Sequence, residues 1–180
     1  MLDHWFMTGR EHGDLQFVRA TSAEVAQVVA VLDHAAAWLM ASGIRQWPDR
    51  FDTDWITPAV ERGETWLVRA GGRAAGTVTL DWSDPLWSDC AGRAGYVHRM
   101  AVKRWAAGTG RAIVAWAVDQ ARVHDAVALR LDCVAANPGL RAYYEAIGFH
   151  HRGDVEVRGA PGQRSDGGMR TLVSRYELPL

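Results

Sequence analysis

Residues 96–112, YVHRMAVKRWAAGTGRA, constrain this chain more than any other stretch. An alternating apolar run passes through a basic turn into a glycine-rich step, and then into a helical pattern. That order sets backbone N–H groups without partners at a helix N-terminus, beside the end of a strand. Such a terminus favours an anion, because its donors have no intrahelical acceptor and the helix dipole adds to their pull. Gly108 and Gly110 lack a Cβ, so a bulky phosphorylated ligand can approach the main chain there. Short glycine pairs before helices are common. The signal gains its force from a second segment, Asn137 to Phe149 (NPGLRAYYEAIGF), which directly follows the apolar run Val127–Val134.

Taken together, the two segments resemble the GCN5-related N-acetyltransferase (GNAT) superfamily. Its members carry a strand ending in an apolar-x-Val step, then [Gln/Arg]-x-x-Gly-x-[Gly/Ala] and a helix. Further on comes an Asn upstream of the Tyr in a Tyr-Glu-x-x-Gly-Phe segment. Here Met100-Ala101-Val102 precedes Ala107-Gly108-Thr109-Gly110-Arg111-Ala112, and Asn137 stands seven residues before Tyr144 of YEAIGF. The resemblance spans Leu15 to Phe149. It departs at Ala107, where relatives carry Gln or Arg; a register placing Trp105 there shortens the turn. One side-chain contact to the cofactor phosphates is therefore expected to be missing, with Lys103, Arg104 or Arg111 as substitutes.

The resemblance implies transfer of an acetyl group from acetyl-coenzyme A (acetyl-CoA) to a primary amine, by direct attack in a ternary complex. It implies a splayed cleft in which Met100, Ala101 and Val102 offer backbone groups to the pantetheine arm. The phosphates would rest on the amides from Gly108 to Ala112, next to Ala107. Asn137 resembles the residue that hydrogen-bonds the arm, although Asn before Pro is also a good helix cap. Tyr144 resembles the tyrosine that protonates or hydrogen-bonds the departing thiolate. Its bland alternative, a helix tyrosine half-buried against the sheet, suits Tyr143 better.

In relatives the general base often comes from the strand before the glycine step, at positions matching His98 and Tyr96. Alternation places Tyr96, His98, Met100 and Val102 on one face. Histidine titrates near neutrality and suits a proton relay; water passed to a backbone carbonyl, or Asp81, is the next candidate. Gly43–Pro48 lies where relatives form a wall of the acceptor pocket, and it could equally plug the core. His150 and His151 point to opposite faces and do not read as a metal pair. No metal is expected. The rival reading is a non-catalytic CoA-binding module, kept open by Ala107.

Composition sets the remaining bounds. A chain of 180 residues, 48% hydrophobic and 23% charged, suits a single folded domain, here 14–180 behind a flexible tail at 1–13. A net charge of −1 gives no electrostatic reason to expect nucleic acid or an anionic membrane as partner. No run reads as a membrane span or signal peptide, so a cytoplasmic location is the default expectation. The partner expected is a small-molecule or peptide amine, and relatives are often homodimers. The two cysteines, Cys90 and Cys133, suggest neither a disulfide framework nor a metal site, and no cysteine or serine has a recognisable base partner.

Periodicity predicts about seven strands and about four helices, and the resemblance implies that they form a mixed, mostly antiparallel α/β fold. Strands are expected at 15–20, 64–70, 73–82, 94–102 and 127–134, with a last pair around the Gly-rich loop Gly159–Gly168. Helices are expected from the capping box Thr21–Glu24 to Gly43, near Trp55–Glu61, over Arg111–His124, and from Pro138 to Gly148. Ser83–Arg93 reads as a polar loop, and Gly159–Gly168 as a flap or a solvated hairpin loop.

Overall fold

The computed structural model describes residues 15–158 and 170–180. One sheet is built from β1 (Leu15–Arg19), β2 (Thr65–Ala70), β3 (Arg73–Asp81), β4 (Ala94–Val102), β5 (Ala128–Val134), β6 (His150–Arg158) and β7 (Arg170–Pro179). The spatial order is β1-β2-β3-β4-β5-β7-β6. Only β4 and β5 are parallel neighbours. Four α-helices accompany the described strands: α1 (Val25–Ala41), α2 (Thr57–Glu61), α3 (Gly110–Val123) and α4 (Pro138–Ala146). The expected mixed architecture is therefore the one observed. The 1–13 tail and the 159–168 loop lie outside the described residues.

Local chemistry explains the element boundaries. Glu24 Oε2 accepts the Thr21 N–H at 2.9 Å, so α1 is entered through a short 3-10 turn at Ser22–Glu24. By length and composition Ser22–Ala41 could cross a bilayer. In this fold its apolar stripe is core instead: Val28, Val31, Leu32 and Ala36 are buried with Leu67, Val60 and Ala101. Burying each Val or Leu of that stripe contributes roughly 1.5–3 kcal/mol. The opposite face of the sheet packs Val78, Leu80, Val97, Leu129 and Leu131 against Ile113, Val114 and Ala117 of α3.

Strand β4 changes faces midway. Thr79 pairs with His98 and Thr77 with Ala101, so Arg99 and Met100 together oppose the single Val78. This is a β-bulge, and Arg99 adopts the left-handed region (φ 48) to form it. Val97, Met100 and Val102 pack towards the α3 side, whereas Ala101 joins the α1 side. The expectation that Tyr96, His98, Met100 and Val102 share one face is thereby corrected. Tyr96 and His98 stay together; Met100 and Val102 lie opposite, because the bulge inserts one residue into a two-residue repeat.

The same region holds the gap in the sheet. Pairing of β4 with β5 runs from Ala94 with Ala128 to Val97 with Leu131, and stops. Both strands continue, to Val102 and Val134, without pairing each other.

Candidate active site

A cavity of about 410 Å³ opens where β4 and β5 part. Met100, Ala101 and Val102 line one side and Asp132, Cys133 and Val134 the other. Helix α4 adds Tyr143 and Tyr144, and the segment after α1 adds Ile44, Gln46 and Trp47. Trp47 also stacks edge-on against the buried Phe51, so it serves as both wall and core.

The free edge of β4 is selective about which peptide groups it offers. Lys103 N–H bonds the Ala75 carbonyl of β3 at 2.8 Å, and Ala101 O stands 2.7 Å from where a Cβ on Gly76 would lie. Alternation then turns the Met100 and Val102 peptide groups away from β3, towards the gap. The Ala101 peptide is turned towards β3 instead.

The α3 N-terminus is similarly discriminating. The Ala107 N–H is bonded to the Arg104 carbonyl and the Thr109 N–H to the Ala106 carbonyl, both at 3.2 Å. Thr109 Oγ1 also donates to Ala106 O, at 2.6 Å, so it does not cap the helix. Ile113 makes the first helical bond, to Thr109 O. The amides of Gly108, Gly110, Arg111 and Ala112 have no backbone partner among the described residues. The cradle expected across 107–112 is thus four donors, with Ala107 and Thr109 used to build the turn. Gly108 is needed for its φ of 96. Gly110 is needed for space, since a Cβ there would meet Tyr143 Oη at 2.9 Å.

Asn137, 3% exposed, caps α4: its Oδ1 accepts the Leu140 N–H at 3.1 Å. Its Nδ2 donates to Gln46 Oε1 at 2.8 Å, tying α4 to the wall after α1. The hydroxyl sheltered without a hydrogen-bond partner among the described residues is Tyr143 Oη, and Tyr144 is 5% exposed. Burial pushes its phenol well above the ordinary value, with Cys133, Tyr143 and Asp132 adding to the rise. It therefore stays a neutral donor. Tyr143 is the less buried of the two, and it too lines the cavity.

His98 sits in an acidic cluster. Its Nε2 is 3.5 Å from Asp81 Oδ2 and 3.8 Å from Asp84 Oδ2. Burial opposes its protonation, but the Asp81 hydrogen bond and charge, then Asp84 and Asp132, outweigh this and raise its pKa. One ligand atom each of Asp84, His98 and Asp132 lies within 4.8 Å of the others. Burial pushes the Asp132 carboxyl up to about 6, against the pull of His98 and with the push of Asp84. Such a carboxylate titrates near neutrality, in a cavity wall, where an acid-base group belongs. Sequence reasoning missed it, reading 127–134 as a plain interior strand. A lone Asp in an apolar run was the available signal.

Other assignments change. Tyr96 is not a base candidate here: its hydroxyl takes a hydrogen bond from Arg130 Nη1 at 3.1 Å, outside the cavity. The loop at 83–93 is more than a polar connection. It contains a 3-10 turn with Trp87, 1% exposed, lying between the guanidinium groups of Arg130 and Arg175. That anchor holds Asp84 beside His98. Cys133 has its thiol pushed up to about 12, mainly by burial, so it remains protonated at neutral pH.

The family model described as "Acetyltransferase (GNAT) family" matches residues 32–149, well over half of the chain. The chain belongs to this family. A GNAT relative, the uncharacterized N-acetyltransferase YesJ of Bacillus subtilis (strain 168), is 28% identical over 145 residues, covering 74% of this chain and 81% of YesJ. A GNAT-family acetyltransferase from Listeria monocytogenes 4b F2365 shares the fold with a TM-score of 0.72 at 24% identity, over 92% of this chain and 95% of that one. YncA of Salmonella typhimurium, solved with its cofactor acetyl-CoA, gives a TM-score of 0.64 at 17% identity, over 92% and 94%. The chain is an acetyl-CoA-dependent N-acetyltransferase. The residues present fit that GNAT cofactor: β4 is unpaired with β5 beyond Val97, and four amides at the α3 N-terminus have no backbone partner among the described residues.

Proposed function

We propose that the β4–β5 cleft holds acetyl-CoA and a primary amine at once, and that the amine attacks directly. Acetyl-CoA supplies an activated thioester carbonyl. The Met100 and Val102 peptide groups align with its arm, and the amides of Gly108, Gly110, Arg111 and Ala112 receive its phosphates. Arg111, exposed on the first turn of α3, stands in for the side chain absent at Ala107. Asn137 fixes the start of α4, and so aims Tyr144 into the cleft, where its neutral hydroxyl donates to the departing sulfur. The amine must lose a proton to become nucleophilic. Asp132 takes it, with His98 holding a compensating charge and Asp81 and Asp84 behind.

One arrangement carries this reading: a single cavity contains the buried Tyr144 and, grouped with His98, the Asp132 carboxylate, and its strand edge leads to the α3 cradle. Burial keeps the Cys133 thiol protonated and so a poor nucleophile, which supports direct attack by the amine. Thiol release from acetyl-CoA, measured across a panel of amines, tests it. The reading expects release that depends on the amine, without a burst. Stabilisation by CoA with no release from any amine would contradict it.

A further inference from the structure

Besides His98, Arg99 is the one basic residue on the cavity wall, and Asp132 the one carboxylate, among the described residues. The Arg99 guanidinium is partly buried and forms no hydrogen bond or ion pair with any described residue, and its Nε is fully sheltered without a partner. Burial lowers its pKa; the charge of Asp81 partly offsets this and that of Arg62 works with it. An unpaired sheltered guanidinium is costly, and proteins keep one chiefly where a ligand completes it. Its backbone deepens the point. Arg99 occupies the left-handed bulge position, where glycine would be the least strained residue. A long cation stands there instead, at the acceptor end, next to His98.

Arg99 and Asp132 therefore both line one cavity, with opposite demands. A simple alkylamine would satisfy Asp132 and leave Arg99 bare. We propose that the acceptor carries a carboxylate close to its amine, an amino-acid-type zwitterion, and that Arg99 selects it by pairing with that carboxylate. The guanidinium fork suits a planar two-oxygen anion. This rests on the acetyl-transfer reading of the cleft, and it names the acceptor class.

The test compares amino acids with their own carboxamides, which keep the amine and skeleton and lose the charge, by acetyl-CoA-dependent thiol release. The wild-type protein should prefer the acids by about tenfold or more in kcat/KM, the range of a charge-assisted pair. Arg99→Gln should collapse that ratio towards one through KM for the acid, and Arg99→Lys should restore part of it. Stabilisation by CoA checks that each variant is folded; if neither variant folds, the wild-type ratio alone decides. Amides used as well as acids, or an acid preference untouched in Arg99→Gln, would overturn the inference while leaving acetyl transfer intact. Thiol release from no amine at all would instead sink the transfer reading, and this inference with it.

Discussion

The two ends of the β4–β5 cleft are built by different means. At the α3 end the parts are peptide groups from one continuous stretch, Met100 to Ala112, shaped by two glycines. At the His98 end they are side chains from four places: Asp81 on β3, Asp84 on the loop after it, His98 and Arg99 on β4, and Asp132 on β5. A backbone site tolerates changes of side chain, which is why Ala107 can replace a polar residue without removing the cradle. A side-chain site depends on register, and here a single bulge decides which residues meet. On the reading proposed above, the first kind holds the cofactor and the second handles the acceptor.

Substitutions at the two ends should separate binding from chemistry. The largest effect is expected from Gly110→Trp, which fills the α3 cradle and displaces Tyr143. CoA affinity should drop by roughly a hundredfold or more in calorimetry, and retained affinity would break the comparison. Next comes Tyr144→Phe, which should cost about 10²-fold in kcat, the low end for a proton donor, with CoA affinity unchanged.

Asp132→Asn should then lower kcat/KM by about ten- to a hundredfold and remove the acid limb of the pH–rate profile near 6. Its stability should move the other way. The folded-state pKa of about 6 lies above the ordinary 3.8, so the folded state binds the proton more tightly, and this carboxyl destabilises the fold as pH rises through 6. The melting temperature of Asp132→Asn should therefore exceed wild type above pH 6, and the gap should close towards pH 4. His98→Gln sharpens the division of labour. If His98 only lowers the Asp132 pKa by its charge, losing it moves the acid limb to higher pH; disappearance of the limb would make His98 the base. The smallest effect on activity is expected from Gly76→Ala, which faces Ala101 and Val102 from β3, on the side of β4 away from the gap. Its Cβ would meet Ala101 O at 2.7 Å, so it should cost about 1–3 kcal/mol of stability in denaturant unfolding.

What could be read in the sequence follows the same division. The strands, the helices and the α3 cradle are local patterns, and Gly108, Gly110, Asn137 and Tyr144 fell where the spacing placed them. The bulge at Arg99 was hidden, because alternation counts residues and cannot see one inserted against the partner strand. With it went the true faces of Met100 and Val102, and the turn of the Ala101 peptide towards β3. Asp132 was hidden by its apolar neighbours, and Tyr96 by a partner, Arg130, that lies on another strand. The importance of 83–93 was hidden because Trp87 finds its two arginines on β5 and β7.

The structure of a crystal soaked with CoA tests the central claim most directly. The account expects the arm to lie along the outer edge of β4 at Met100 and Val102. It expects the pyrophosphate within hydrogen-bond distance of the Gly108, Gly110, Arg111 and Ala112 nitrogens. A ligand bound elsewhere, or β4 and β5 hydrogen-bonded to each other beyond Val97 and Leu131, would contradict it.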